Sequence, residues 1–431
     1  LKYLNSRLAA ARIVAEVLQE GRSLTAALEG VLPSVPSARD RALIQALCFG
    51  VCRFYQRLDF ILNELLDKPI KDGQIRALAL VGLYQLWAMR IKPHAAVSET
   101  VKGASKKPWA KALLNALLRN YLRHQAGLEQ KADDDSAAAL CHPEWLIDQI
   151  RRDWPQAAAA LLKENNRPPP MALRVNLSRL SREQYLHRLA ERDIPAEPVD
   201  FCASAIVLTQ PVPIESLPGF GEGLVSVQDV AAQMAAYLLE VKPGHRVLDV
   251  CAAPGGKTAH VLELQPQLAS LVAVDKEASR MERLAANLTR LKLQAEQVIG
   301  DAAHPEAWWD GRLFDRILVD APCSALGVIR RHPDIKLLRR ADDIGALQSL
   351  QQSILRAVWP LLAPGGILLY ATCSILKQEN ERQTTAFLSA HADAAELPIA
   401  ADWGISQSCG RQILTGEKAM DGFYYARLEK R

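Results

Sequence analysis

Apolar residues recur at helical spacing through the first 125 positions. Leu8, Val14, Val17 and Leu18 begin one stripe, Ala42, Leu43, Ala46, Leu47 and Phe49 a second, and Leu58, Ile61, Leu62, Leu65 and Leu66 a third. The pattern predicts a further helix over 75–89. Another, over 111–123, is apolar on one face and basic on the other. Asp133, Asp134 and Asp135, followed by small residues, read as a linker. An all-helical first domain over 1–140 follows.

The pattern then changes. Residues 143–162 read as a helix, and Pro168, Pro169 and Pro170 stop it. A strand over 171–176, a helix over 181–192 and a strand over 205–209 predict a small α/β domain with its linker helix over 141–223. Prolines and glycines between 211 and 223 mark a loop. From 224 to 431 short apolar strands alternate with helices. The strands are expected at 246–250, 271–275, 296–299, 316–319 and 367–371, with helices starting near Lys257, Ala278, Gln348 and Glu379. This alternation predicts a doubly wound, mostly parallel sheet, which binds ligands at the carboxyl ends of its strands.

Composition adds three points. No apolar run in the 431 residues approaches the roughly 20 needed to span a bilayer. The first apolar stretch is interrupted by Arg7, Arg12 and Glu16, so no export signal is expected, and the eight scattered cysteines read as reduced thiols of a cytoplasmic protein. Their spacing suits no metal site; Cys48 and Cys52 lie four apart inside a helical apolar pattern. The net charge of +4 is uneven: residues 1–130 carry 19 Lys and Arg against 10 Asp and Glu. A basic first third suggests a module that binds a polyanion.

The candidate chemistry gathers at strand ends. The strand at 246–250 runs into Cys251, Ala252, Ala253, Pro254, Gly255, Gly256, Lys257 and Thr258, where small residues let the backbone approach a ligand. This is neither a Walker loop nor a GxGxxG turn. Asp275 ends the second strand, where a carboxylate suits ribose hydroxyls. Asp301 ends the third, where an adenine amino group could lie, and Asp320 ends the fourth. Together they point to an adenosine-type cofactor. Two thiols follow the fourth and fifth strands: Cys323 in Asp-Ala-Pro-Cys and Cys373 in Thr-Cys-Ser. Both should project into the crevice, whereas Cys48, Cys52, Cys141, Cys202, Cys251 and Cys409 read as small buried hydrophobes.

The string at 249–258, the Asp-Ala-Pro-Cys at 320–323 and the Tyr-Ala-Thr-Cys-Ser at 370–374 resemble the RNA cytosine-5 methyltransferases of the Nol1/Nop2/Sun type. Arg330-Arg331-His332-Pro333-Asp334 and the segment 421–426 fit the same pattern. The resemblance implies S-adenosyl-L-methionine as cofactor and a Rossmann-like methyltransferase domain. It implies that Cys373 attacks C6 of a cytosine, that Cys323 assists release, and that Asp320 and Lys257 reach the target base. A thiol is needed because C5 becomes nucleophilic only once a sulfur has added to C6. The segments 47–51 and 81–86 resemble a NusB-like RNA-binding domain. Joined to the catalytic part, this is similar to the bacterial 16S ribosomal RNA branch of the family. It implies a monomer acting on that RNA, without metal or membrane. An amino-methyltransferase is disfavoured, because that chemistry favours Asn/Asp-Pro-Pro-aromatic after the fourth strand.

Overall fold

Polar caps open most of the helices that the apolar stripes predict. In the computed structural model, which describes residues 5–431, Asn5, Ser23, Ser37 and Asp72 each accept a hydrogen bond from a backbone N–H three residues on. They start helices Ser6–Glu20, Leu24–Val31, Ala38–Arg53 and Gly73–Trp87. Helices Pro93–Gly103 and Pro108–Asp134 begin instead with proline, whose missing N–H costs nothing there. Their apolar faces meet in one core around Ile13, Val14, Leu47, Leu58, Leu78 and Leu114. Gly50 marks a close approach: a Cβ there would lie 1.9 Å from the Tyr84 ring.

These helices form one unit, which runs through Pro168 and takes in Ile329–Ala341. The acidic run is no linker. Helix Pro108–Asp134 continues past a local distortion at His124, and Asp133 pairs with Arg57 at 2.6 Å. Asp135 caps the next helix, Ser136–Leu140. Asp133 therefore serves as an ion-pair partner and Asp135 as a helix cap, while Asp133 and Asp134 remain exposed on the helix end.

The segment Ile329–Ala341 carries a short helix, Ile335–Leu338, whose Leu337 and Leu338 pack on the helical core. Asp334 accepts a bond from Leu24 N at 3.0 Å, and Arg53 donates to the Arg330 carbonyl at 2.8 Å. Lys336 is buried, with its ammonium donating to Arg53 O, Cys141 O and Asn166 Oδ1 at 2.6, 2.7 and 2.8 Å.

The second unit comprises Pro169–Val328 and Asp342–Arg431. Its small sheet has strands β1 (Met171–Val175), β2 (Ala196–Pro198), β3 (Ala205–Leu208) and β4 (Val225–Val227), in the antiparallel order β2-β3-β1-β4. Helix Arg182–Ala190 crosses beside it, opened by a capping box between Ser181 and Gln184.

The large sheet has nine strands. The first five are β5 (Arg246–Val250), β6 (Ser270–Asp275), β7 (Glu296–Ile299), β8 (Phe314–Asp320) and β9 (Leu362–Thr372). They pair in parallel in the order β7-β6-β5-β8-β9. Most central-strand residues are buried, as sheets covered on both faces require. The remaining four are β10 (Ala394–Glu396), β11 (Ile405–Ser406), β12 (Arg411–Ile413) and β13 (Phe423–Lys430). All four pair antiparallel, with β13 against β9. The expected parallel half thus forms, but four of the nine strands are antiparallel. β5 has β6 on one side and β8 on the other, so the loops after β5 and β8 part and leave a crevice at the strand ends.

Candidate active site

The turn after β5 is shaped by backbone. Cys251 has φ +60° and Gly255 φ +89°, and Gly255 precedes helix Gly256–Leu264. A Cβ at Gly255 would meet Leu284 Cγ at 2.8 Å, so glycine is required twice over, for its dihedral and for its space. Ala252 N donates to Val274 O at 3.1 Å and Ala253 N to Asp275 Oδ2 at 3.2 Å, which ties the turn to β6. The Ala253–Pro254 bond is cis. Thr258 points inward and donates to Asp249 Oδ2 at 2.6 Å. Burial raises the pKa of Asp249 to about 7, and its Oδ1 has no partner.

One cleft is lined by Cys251, Asp275, Asp301, Asp320, Cys323 and Cys373, all at or just beyond strand ends. Six of the residues expected at the site therefore share one wall-to-wall space. Ala252, Ala253, Pro254, Gly256, Lys257 and Thr258 shape or support it without lining it. Asp275 is buried and also accepts from Glu277 N at 3.2 Å. Asp301 is exposed, lies two residues beyond β7, and caps its own loop through Ala303 N at 2.9 Å. Asp320 accepts from Lys257 Nζ at 2.7 Å. Burial acts against the Lys257 ammonium, but the charge and hydrogen bond of Asp320 outweigh it and raise its pKa. The ammonium also lies 5.4 Å from the Phe423 ring centroid.

The two thiols meet: Cys323 Sγ and Cys373 Sγ are 3.5 Å apart, although 50 positions separate them in the chain. They do so because β8 and β9 are parallel neighbours, with Asp320 opposite Ala371. The hydrogen bond to Cys373 comes first, then burial and the nearby charges of Cys373 and Glu379, in raising the pKa of Cys323 well above that of a free thiol. Burial likewise pushes Cys251 up to about 12, which leaves it an inert thiol of the wall.

Comparison with known proteins bears on the whole chain. The family model described as 16S rRNA methyltransferase RsmB/F matches residues 236–429. An RsmF/B-like ferredoxin-like domain matches 142–215 and the NusB family 4–123. The ribosomal RNA small subunit methyltransferase B of Pseudomonas putida is 51% identical over 431 residues, covering 99% of each chain. The chain belongs to the RsmB/F family of 16S rRNA methyltransferases. Two solved proteins of Pyrococcus horikoshii share the fold of this family member. A methyltransferase homologue is 28% identical, with TM-score 0.61, covering 68% of this chain and 97% of its own. NSun6, solved with SFG, is 20% identical, with TM-score 0.61, covering 67% and 98%.

Three groups around the RsmB/F site escape a reading by motif. Arg280 lines the cleft, donates to Ala253 O at 2.5 Å and pairs with Asp275 at 3.4 Å. Arg174 of β1 is buried, pairs with Glu263 at 2.9 Å and donates to Gly256 O at 2.6 Å, so it braces the helix behind the glycine turn. Glu379 lies behind the thiols with Ser324 and Ser374. The neighbours Cys323-Ser324 and Cys373-Ser374 were the one available signal for the last group: each thiol of the pair is followed by a serine.

Proposed function

We propose that this chain transfers a methyl group from S-adenosylmethionine to carbon 5 of a cytosine in 16S ribosomal RNA, through a covalent bond between Cys373 and C6. The observation that carries this reading is the 3.5 Å contact of Cys323 and Cys373 in a cleft that also presents Asp320. Covalent catalysis on a pyrimidine needs one sulfur to bond the ring and a second group to move a proton.

The cofactor's fit rests on the turn and the acids. Gly255 admits no side chain, and the buried Asp275 carboxylate opens onto the same cleft as the exposed Asp301. Asp275 suits the ribose hydroxyls, Asp301 the adenine amino group, and the backbone from Cys251 to Thr258 the remainder. S-adenosylmethionine supplies an electrophilic methyl group when bound.

The protein's own groups then divide the work. The Cys373 thiolate adds to C6, while Asp320, held by Lys257, contacts the base edge. Cys323 stays protonated at first, because it donates to Cys373 and faces that sulfur's charge. Once the Cys373 sulfur is tied up in a C–S bond, both influences vanish and Cys323 gives up its proton to solvent more readily. It can then accept the proton from C5, after which the C6–S bond breaks and the thiolate leaves. The basic helical region over 1–140 would hold the RNA backbone, with exposed Lys111, Arg119 and Arg123 spaced along one side of helix Pro108–Asp134.

The test is bisulfite mapping of 16S RNA incubated with the full chain and S-adenosylmethionine, together with denaturing gels of two variants. Cys373→Ser should form no adduct and no 5-methylcytosine, and Cys323→Ser should accumulate a protein–RNA adduct. Adduct from Cys373→Ser but none from Cys323→Ser would reverse the two roles. A methyl group on a base nitrogen would overturn the reading.

A further inference from the structure

Behind the thiols lies a carboxylate that the chemistry above does not use. Glu379 is fully buried, between β9 and helix Glu381–Ala390. Its Oε1 accepts from Ser324 N at 2.8 Å and Gln351 Nε2 at 3.1 Å. Its Oε2 accepts from Ser324 Oγ at 2.5 Å and Ser374 Oγ at 2.6 Å. These four bonds fill the acceptor capacity of one carboxylate.

The donors are not scattered. Ser324 follows Cys323 and Ser374 follows Cys373, and their hydroxyls touch at 3.0 Å. Gln351 also donates to the carbonyl of Pro322, the residue before Cys323. One side chain thus grips both cysteine turns, which come from different strands. An uncharged residue could brace two turns at less cost, since a carboxylate loses its hydration on burial. A carboxylate at this place therefore calls for a use.

We propose that Glu379 is a positioning residue for both thiols, holding the Cys323 and Cys373 turns together so that the two sulfurs meet. The inference rests on the reading that these thiols do the chemistry. The charge has a second consequence. After the hydrogen bond to Cys373, burial and the Cys373 charge, it is a further cause that keeps Cys323 protonated. Cys323 then remains the donor in the sulfur pair.

The first test needs no RNA. Phenylarsine oxide bridges two thiols only when they lie close together. Wild type should be captured rapidly across Cys323 and Cys373, read by mass spectrometry, and folded Glu379→Gln at least tenfold more slowly. If that variant does not fold, the double variant Ser324→Ala with Ser374→Ala carries the same expectation, because it removes both hydroxyl donors. Capture at the wild-type rate overturns the inference whatever the activity. A second readout separates positioning from bracing. In a Cys373→Ser background, Glu379→Gln should move the alkylation midpoint of Cys323 to lower pH; an unmoved midpoint overturns the electrostatic part. In otherwise wild-type protein, kcat should fall tenfold or more with KM for S-adenosylmethionine within twofold. Failure of the methylation reading would appear separately, as methyl transfer that survives loss of both thiols.

Discussion

Lys257 and Lys336 are both long cations withdrawn from water, one in each unit, and the protein treats them in opposite ways. Lys336 has only neutral partners, two backbone carbonyls and an amide oxygen. Burial pushes its pKa down to about 7. Lys257 meets the same penalty, but Asp320 outweighs it and the ammonium is held above its ordinary range. Oxygen dipoles are enough to fix a lysine in place and let it join backbone segments. Keeping it a cation across the neutral range takes a counter-charge. The paired lysine stands beside the cleft and the unpaired one in a structural clamp, so of these two lysines the one proposed to act on the base is the one given a counter-charge.

A third buried cation extends the comparison and carries the largest expected effect. Arg174 is paired like Lys257 but sits behind the glycine turn rather than beside the thiols. Arg174→Met leaves Glu263 buried without its partner, which should cost about 3–5 kcal/mol of stability in chemical denaturation. A loss under about 1 kcal/mol would mean that pairing matters little in this interior.

Lys257→Met should behave differently: little change in folding, but a fall of roughly 100-fold in single-turnover methyl transfer, equivalent to about 2.7 kcal/mol. A rate within threefold of wild type would make Lys257 another brace. The two acids sharpen the contrast on the cofactor side. Asp275 is buried and Asp301 exposed. Asp275→Asn should weaken S-adenosylmethionine binding by about 1–3 kcal/mol and Asp301→Asn by less than about 1, read by calorimetry. Equal losses would show that burial does not set their weight.

The residues that were legible in the sequence are those whose chemistry is local. Cys323, Cys373, Asp275 and Asp320 each end or follow an apolar strand, and the strand order of a doubly wound sheet brings such ends together. Their partners were not legible, because Arg174, Lys336 and Glu379 look like surface residues until the fold buries them. Nothing in the run from Asp133 to Asp135 announces that Arg57, some 76 positions earlier, will bind one of these acids. Two short antiparallel strands of the large sheet also escaped: β12 and β11 are three and two residues long, too short for alternation to show. The segment around Lys336 is another long-range case, since its motif lies amid the catalytic sequence while its contacts belong to the helical unit.

The last test concerns Lys336 itself, through pH. In the unfolded chain a lysine holds its proton up to about pH 10.4, whereas in the folded protein Lys336 gives it up near pH 7. Above that value the unfolded state binds more protons, so stability rises with pH. The contribution is fully present above the unfolded pKa, falls as pH drops, and is gone once pH passes below the folded one. Between pH 6 and pH 8 the rise should be about 1 kcal/mol in wild type and absent from Lys336→Met. Urea denaturation of both full chains at several pH values measures it as a difference, which cancels every other titrating group that the substitution leaves alone. A flat difference would mean that three oxygens hold the ammonium charged throughout. Lys336 would then resemble Lys257 without needing a carboxylate, and the distinction between the two lysines would have to rest on position alone.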